Sequence, residues 1–139
     1  MKDTRTPLRR FFDLFERNSD SGDVAGSVDQ FAEMFMAAGP QGARCVRAAD
    51  FAMALPKRFE LFKRLGCRKT CLASFRETRL DDRFALAETE WRMVFDGGRE
   101  ALAGSTFIVD TAEDPYRIVF YLAHQDYMAL LKGLGLMTE

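Results

Sequence analysis

The chain has 139 residues, 47% of them hydrophobic and 29% charged, a balance that suits a globular domain able to bury roughly two thirds of its unfolded surface and excludes a disordered one. Its 20 Lys and Arg against 21 Asp and Glu leave a net charge of −1, so no field of one sign exists to draw in nucleic acid or an anionic membrane. No stretch approaches the roughly 20 apolar residues needed to span a bilayer, and the opening run MKDTRTPLRRFF lacks the apolar region of a secretory signal. The expectation is a cytoplasmic protein folding as one domain over 1–139.

Thr6 and Pro7 form a plausible N-cap and first-turn pair, and Leu8, Phe11, Phe12 and Phe15 recur at the spacing of one helix face, which predicts a helix to about Asn18. Asp23 caps a short second helix through Val28, and Phe31 to Ala38 reads as a strand. The turn Gly39-Pro40-Gln41-Gly42 leads to an extended Ala43 to Arg47. Asp50 then offers a cap for a long helix carrying Phe51, Leu55, Phe59, Phe62 and Leu65 up to Gly66, with Pro56 a kink or a fresh first turn.

From Cys67 the pattern changes to extended runs: Cys67 to Leu80, Arg83 to Phe95, Ala101 to Thr111 and Tyr116 to Ala123. Turn formers separate them, namely Asp81-Asp82, Asp96-Gly97-Gly98 and Glu113-Asp114-Pro115, so about four antiparallel strands form a meander. A two-residue loop at Asp81-Asp82 pairs Leu72 with Trp91, Ser74 with Thr89, Phe75 with Glu88 and Ala73 with Glu90. Gln125 to Leu134 is predicted as a closing helix, and a short tail expected to fray comes after it.

Helices followed by a meander of long strands, together with the Leu8-to-Phe15 helix and its Gly22-Asp23 turn, the Gly104-Ser105-Thr106-Phe107 strand and the run YRIVFYLAHQD from Tyr116 to Asp126, resemble the nuclear transport factor 2-like superfamily. That group includes ketosteroid isomerases, polyketide cyclases and dehydratases. The resemblance implies an α+β, cystatin-like cone: N-terminal helices packed in the concave face of a strongly curved, mainly antiparallel sheet. It also implies a conical pocket on the concave side and often a dimer interface on the convex side. Steroid-type isomerisation in such relatives uses a tyrosine on the first helix, where this chain has Phe11, Phe12 and Phe15, so that set is incomplete.

Alternation along the last strand groups Ile118, Phe120, Leu122 and His124 on one face and Arg117, Val119, Tyr121 and Ala123 on the other. The first set is expected in the cone. The second, centred on Val119 and Tyr121, is expected to form a homodimer. His124, the one histidine of the chain, is the candidate acid or base, with binding of backbone near the helix start as its structural alternative. Trp91, Thr89 and Met93 share a strand face and, with Phe15, Phe62 and Phe120, are candidates for lining a largely apolar ligand pocket; core packing explains the same residues.

Asp110, Glu88 and Glu90 are available carboxylates, the latter two on the face of Arg92 and suited to ion pairs. Lys57, Arg58, Lys63, Arg64, Arg68 and Lys69 form a basic stretch that either docks a phosphate or acidic partner or is a solvated face. Cys45, Cys67 and Cys71 read as reduced thiols, since Cys67 and Cys71 on one strand would stand about 13 Å apart. No metal site and no cofactor are expected: no C-x-x-C pair, Walker-type loop, dinucleotide fingerprint, nucleophile elbow or H-E-x-x-H helix occurs. Two functions suit these features, a small-molecule-binding cone domain or a cofactor-free isomerase, cyclase or dehydratase using a His/carboxylate pair. A filled cone acting through its surface is the third.

Overall fold

In the computed structural model residues 4–135 are described; the tail expected to fray lies outside them. Helix α1, Pro7–Ser21, starts where Thr6 accepts the Arg9 N–H at 3.1 Å, and ends at Gly22, whose φ of 73° suits a residue without a side chain. Asp23 accepts the Gly26 N–H and caps α2, Val24–Asp29. Strands β1, Phe31–Gly39, and β2, Gly42–Arg47, make a hairpin. Helix α3, Ala48–Arg64, runs through Pro56; its N-cap is Arg47, and Asp50 lies in its first turn, where a negative charge favours the helix dipole.

The remaining strands are β3, Cys67–Arg79; β4, Phe84–Phe95; β5, Glu100–Asp110; and β6, Arg117–Ala123. Helix α4, Tyr127–Gly133, comes last, capped by Asp126. The six strands form one sheet in the order β2-β1-β6-β5-β4-β3, with β1 parallel to β6 and every other pairing antiparallel. The fold class is α+β, as the sequence implies, with the meander extended by the β1/β2 hairpin.

Odd-numbered positions of β4 and β5 face the helices and are buried, and large side chains there lie opposite small ones: Trp91 with Ala103, Met93 with Ala101, Phe107 with Ala87 and Val109 with Ala85. This interdigitation lets the α1 aromatics seat closely. Phe12, fully buried, packs on Phe11, Phe15, Phe75 and Phe107 with ring centres 4.9 to 5.8 Å apart. The other buried cluster gathers Met93, Phe95, Ala101, Ala103 and Leu131. Along the β3 edge, Glu16 accepts the Leu72 N–H at 2.6 Å and Asp20 the Thr70 N–H at 2.9 Å, so one face of α1 covers donors that an open edge would leave unpaired.

Irregularities in β3 and β6 change which side chains face the cone. Leu72 is paired with Trp91 as expected, but the register shifts at Ala73, so that Ser74 pairs with Glu90 and Phe75 with Thr89. In β6, Ile118 pairs with Val109 and Phe120 with Ile108, which leaves Val119 as an extra residue. Beyond a one-residue bulge every side chain changes face. Tyr121, opposite Phe107, therefore points into the cone, while Phe120, Leu122 and His124 point out. The expected grouping of β6 is corrected accordingly, and Tyr121 is not part of the convex face.

Candidate functional site

Between the two buried clusters lies a cavity of about 650 Å³. Trp91 and Met93 of β4, Ser105 and Phe107 of β5, and Tyr121 of β6 form its sheet wall. Phe15 of α1 and Leu55, Phe59 and Phe62 of α3 form its helix wall. Near the first residues of β3 and the end of α1, Asp20, Arg68 and Lys69 also border it.

Of the residues expected to line a pocket, Trp91, Met93, Phe15 and Phe62 do so. Thr89 does not: it shares the Trp91 face, but its hydroxyl accepts the indole Nε1–H at 2.8 Å and donates to the Ser105 carbonyl at 3.0 Å, so both polar groups are satisfied within the wall. Phe120 is turned to the convex face by the bulge. His124 is corrected too. Its backbone N–H donates to the Gly104 carbonyl, its ring Nε2 lies 2.7 Å from Thr106 Oγ1, and Thr106 alternates with the cone-facing Ser105 and Phe107, which puts the imidazole on the outer side. The helix cap at that junction is Asp126.

The candidate carboxylates Asp110, Glu88 and Glu90 stay apart from the cavity as well. Asp110 receives two hydrogen bonds from Arg83, which hold its carboxyl below the usual carboxylate range. Glu88 pairs with Arg76 at 3.9 Å on the outer face. The structure thus brings no His/carboxylate pair together in the cone. Among the described residues no cluster of three His, Cys, Asp or Glu is placed to hold a metal ion, and Cys45, Cys67 and Cys71 are free thiols.

What the cavity holds instead is a polar group made by Arg58, Tyr121, Tyr127 and Ser105. The Arg58 guanidinium lies 4.9 Å from the centre of the Tyr127 ring and 5.8 Å from that of Phe62, a cation held over aromatic faces. The Tyr121 and Tyr127 hydroxyls are 3.4 Å apart, and Tyr121 stacks on Phe107 at 5.1 Å. Arg58 is an exposed residue that also borders the cavity, and partial loss of water around its guanidinium acts to lower its pKa. The two tyrosine oxygens more than offset that desolvation and raise its pKa.

Tyr127 is pushed up to about 12, first by desolvation and then by Tyr121, so it is a phenol that donates at neutral pH. Burial pushes the Cys67 thiol up. Ser27 also borders the cavity; it is 6% exposed, and among the described residues its hydroxyl has no hydrogen-bond partner. A signal for Arg58 exists in the sequence. Leu55, Arg58, Phe59 and Phe62 stand at i, i+3, i+4 and i+7, so Arg58 borders the apolar stripe of α3 while remaining exposed.

No known family's sequence profile matches the chain, and no curated protein matches it. Solved structures do. An NTF-2 like protein of unknown function from Shewanella oneidensis superposes with a TM-score of 0.72 at 14% identity, over 86% of this chain and 97% of that one. An NTF2-like protein with a cystatin-like fold from Novosphingobium aromaticivorans gives 0.70 at 16% identity over 92% and 86%. A cystatin-like protein of unknown function from Nostoc punctiforme gives 0.65 at 16% identity over 86% and 89%. With six strands wrapped on α1 and α3 and likenesses of this extent, the chain has the nuclear transport factor 2-like, cystatin-like fold.

Proposed function

We propose that this protein is a small-molecule-binding cone domain whose ligand occupies the cavity between the sheet and α3. The observation that carries this reading is the cavity itself: about 650 Å³, walled by Phe15, Phe59, Phe62, Trp91, Met93 and Phe107, with a few polar groups gathered around Arg58. Pockets for compact ligands have this size and this mixture of apolar wall and sparse orienting groups. A cone serving only as a scaffold would be packed solid, because an unfilled apolar space costs stability.

The test is a titration with N-phenyl-1-naphthylamine, a neutral apolar fluorophore. Binding in the cavity gives a saturable rise in its emission at one site per chain, with energy transfer from Trp91, the one tryptophan of the chain. An unsaturable response without energy transfer would overturn the reading.

A second copy of the chain covering the convex face belongs to the same proposal. Met34, Met36 and Leu102 are 52%, 39% and 50% exposed, and Met36 pairs with Phe120, which pairs with Ile108, so these side chains share one outer face. Exposed apolar area of this kind marks an interaction site. The flanking Arg76, Glu88, Glu90 and Arg92 carry both signs, so a two-fold copy of the same face meets no uniform repulsion. Phe120 and Leu122 take the central place that alternation gives to Val119 and Tyr121.

A further inference from the structure

We propose that the cone selects a small organic carboxylate, with its ring or alkyl body against the aromatic walls and its carboxylate on Arg58 between Tyr121 and Tyr127. This rests on the reading of the cavity as a ligand site and names the chemistry of its occupant. Arginine is a permanent cation, and Arg58 keeps an exposed guanidinium at the cavity wall, where an anion in the cavity can reach it. Among the described residues no carboxylate stands within ion-pair distance of Arg58. The groups acting on it are two neutral phenol oxygens, which leave part of its five N–H donors for a ligand.

The surroundings favour the same charge. Arg58, Lys63, Arg68 and Lys69 border the cavity against Asp20 and Glu60, four cations to two carboxylates, and Asp20 already accepts the Thr70 N–H. The guanidinium carbon lies 4.9 Å from the centre of the Tyr127 ring and 5.8 Å from that of Phe62. Cation–π attraction adds to the hold on the group. One guanidinium flanked by two phenols offers paired donors to two oxygens of an anion, and the apolar walls select an anion that carries an organic body, which inorganic phosphate lacks.

The test is displacement of N-phenyl-1-naphthylamine by two compounds of the same shape, cyclohexanecarboxylate and cyclohexanecarboxamide, at neutral pH, with inorganic phosphate as a third competitor. The acid should displace the fluorophore at a concentration about tenfold or more below that of the amide, equivalent to about 1.4 kcal/mol, and phosphate should not compete. Arg58→Gln should bring acid and amide to equal potency, each read as a ratio within the same variant; Arg58→Lys, which keeps the charge and loses the fork, should fall between. Equal potency in the unaltered protein, an unchanged ratio in Arg58→Gln, or displacement by phosphate as effective as by the acid would each overturn the assignment. Should Arg58→Gln fail to fold by circular dichroism, the ratios in the unaltered protein and in Arg58→Lys decide it. Absence of saturable fluorophore binding would sink the cavity reading instead.

Discussion

Trp91 and His124 stand on opposite faces of the sheet: the indole borders the cavity, and the imidazole lies 2.7 Å from Thr106 Oγ1 on the outer side. His124→Ala should therefore leave ligand affinity within about twofold while lowering stability by about 0.5 to 1.5 kcal/mol for the lost hydrogen bond. Chemical denaturation and a fluorophore titration on the same variant check both halves. A large loss of affinity at unchanged stability would place the imidazole against the ligand.

Binding of a carboxylate at Arg58 should be level between about pH 6 and pH 9. Arg58 has its pKa raised and stays charged, Tyr127 is pushed up to about 12 and stays a phenol, and the Cys67 thiol is pushed up by burial. Histidine is the side chain whose charge ordinarily changes in that range, and none lines the cavity, where the other charged neighbours are Asp20, Glu60, Lys63, Arg68 and Lys69. Displacement curves collected across the range check this. A midpoint near pH 6.5, the ordinary histidine value, would contradict it.

Phe12 is the anchor of the helix wall. Completely buried and in contact with four other rings, it should cost about 3 to 5 kcal/mol as Phe12→Ala. Phe11→Ala, from a half-buried position, should cost clearly less. Urea unfolding followed by Trp91 emission compares the two, and equal losses would mean that the α1 packing differs from that described.

The element order and most boundaries are legible in the sequence because their signals are local. The Leu8-to-Phe15 spacing, the Asp23 cap, the Gly66 stop and the turn at Asp96-Gly97-Gly98 each act within a few residues, and the helices and strands fall close to where those signals put them. The face of a strand is another matter. Bulges at Ala73 and Val119 carry no glycine or proline to mark them, and each reverses the parity of the residues beyond it. That reversal moved Tyr121 into the cone and Phe120 and His124 out of it. Arg58 is a different kind of miss: its charge suggests solvent, while its place in the Leu55, Phe59, Phe62 stripe puts it among aromatic rings.

A dimer through the convex face should sediment as twice the chain mass at micromolar concentration, and Leu102→Glu or Phe120→Glu should shift it to monomer, since like charges then meet across the two-fold axis. Fluorophore binding should survive both substitutions because neither residue lines the cavity. A monodisperse monomer of the unaltered chain at those concentrations would remove the dimer from the account.

The chain carries one tryptophan and one histidine, on opposite sides of the cavity wall, and their nuclear magnetic resonance signals are assigned by residue type alone. Titration with cyclohexanecarboxylate should move the Trp91 indole N–H signal along a saturable path while the His124 ring signals stay in place. Movement of the His124 signals with a stationary Trp91 signal would contradict the claim that the ligand site is the cavity between the sheet and α3.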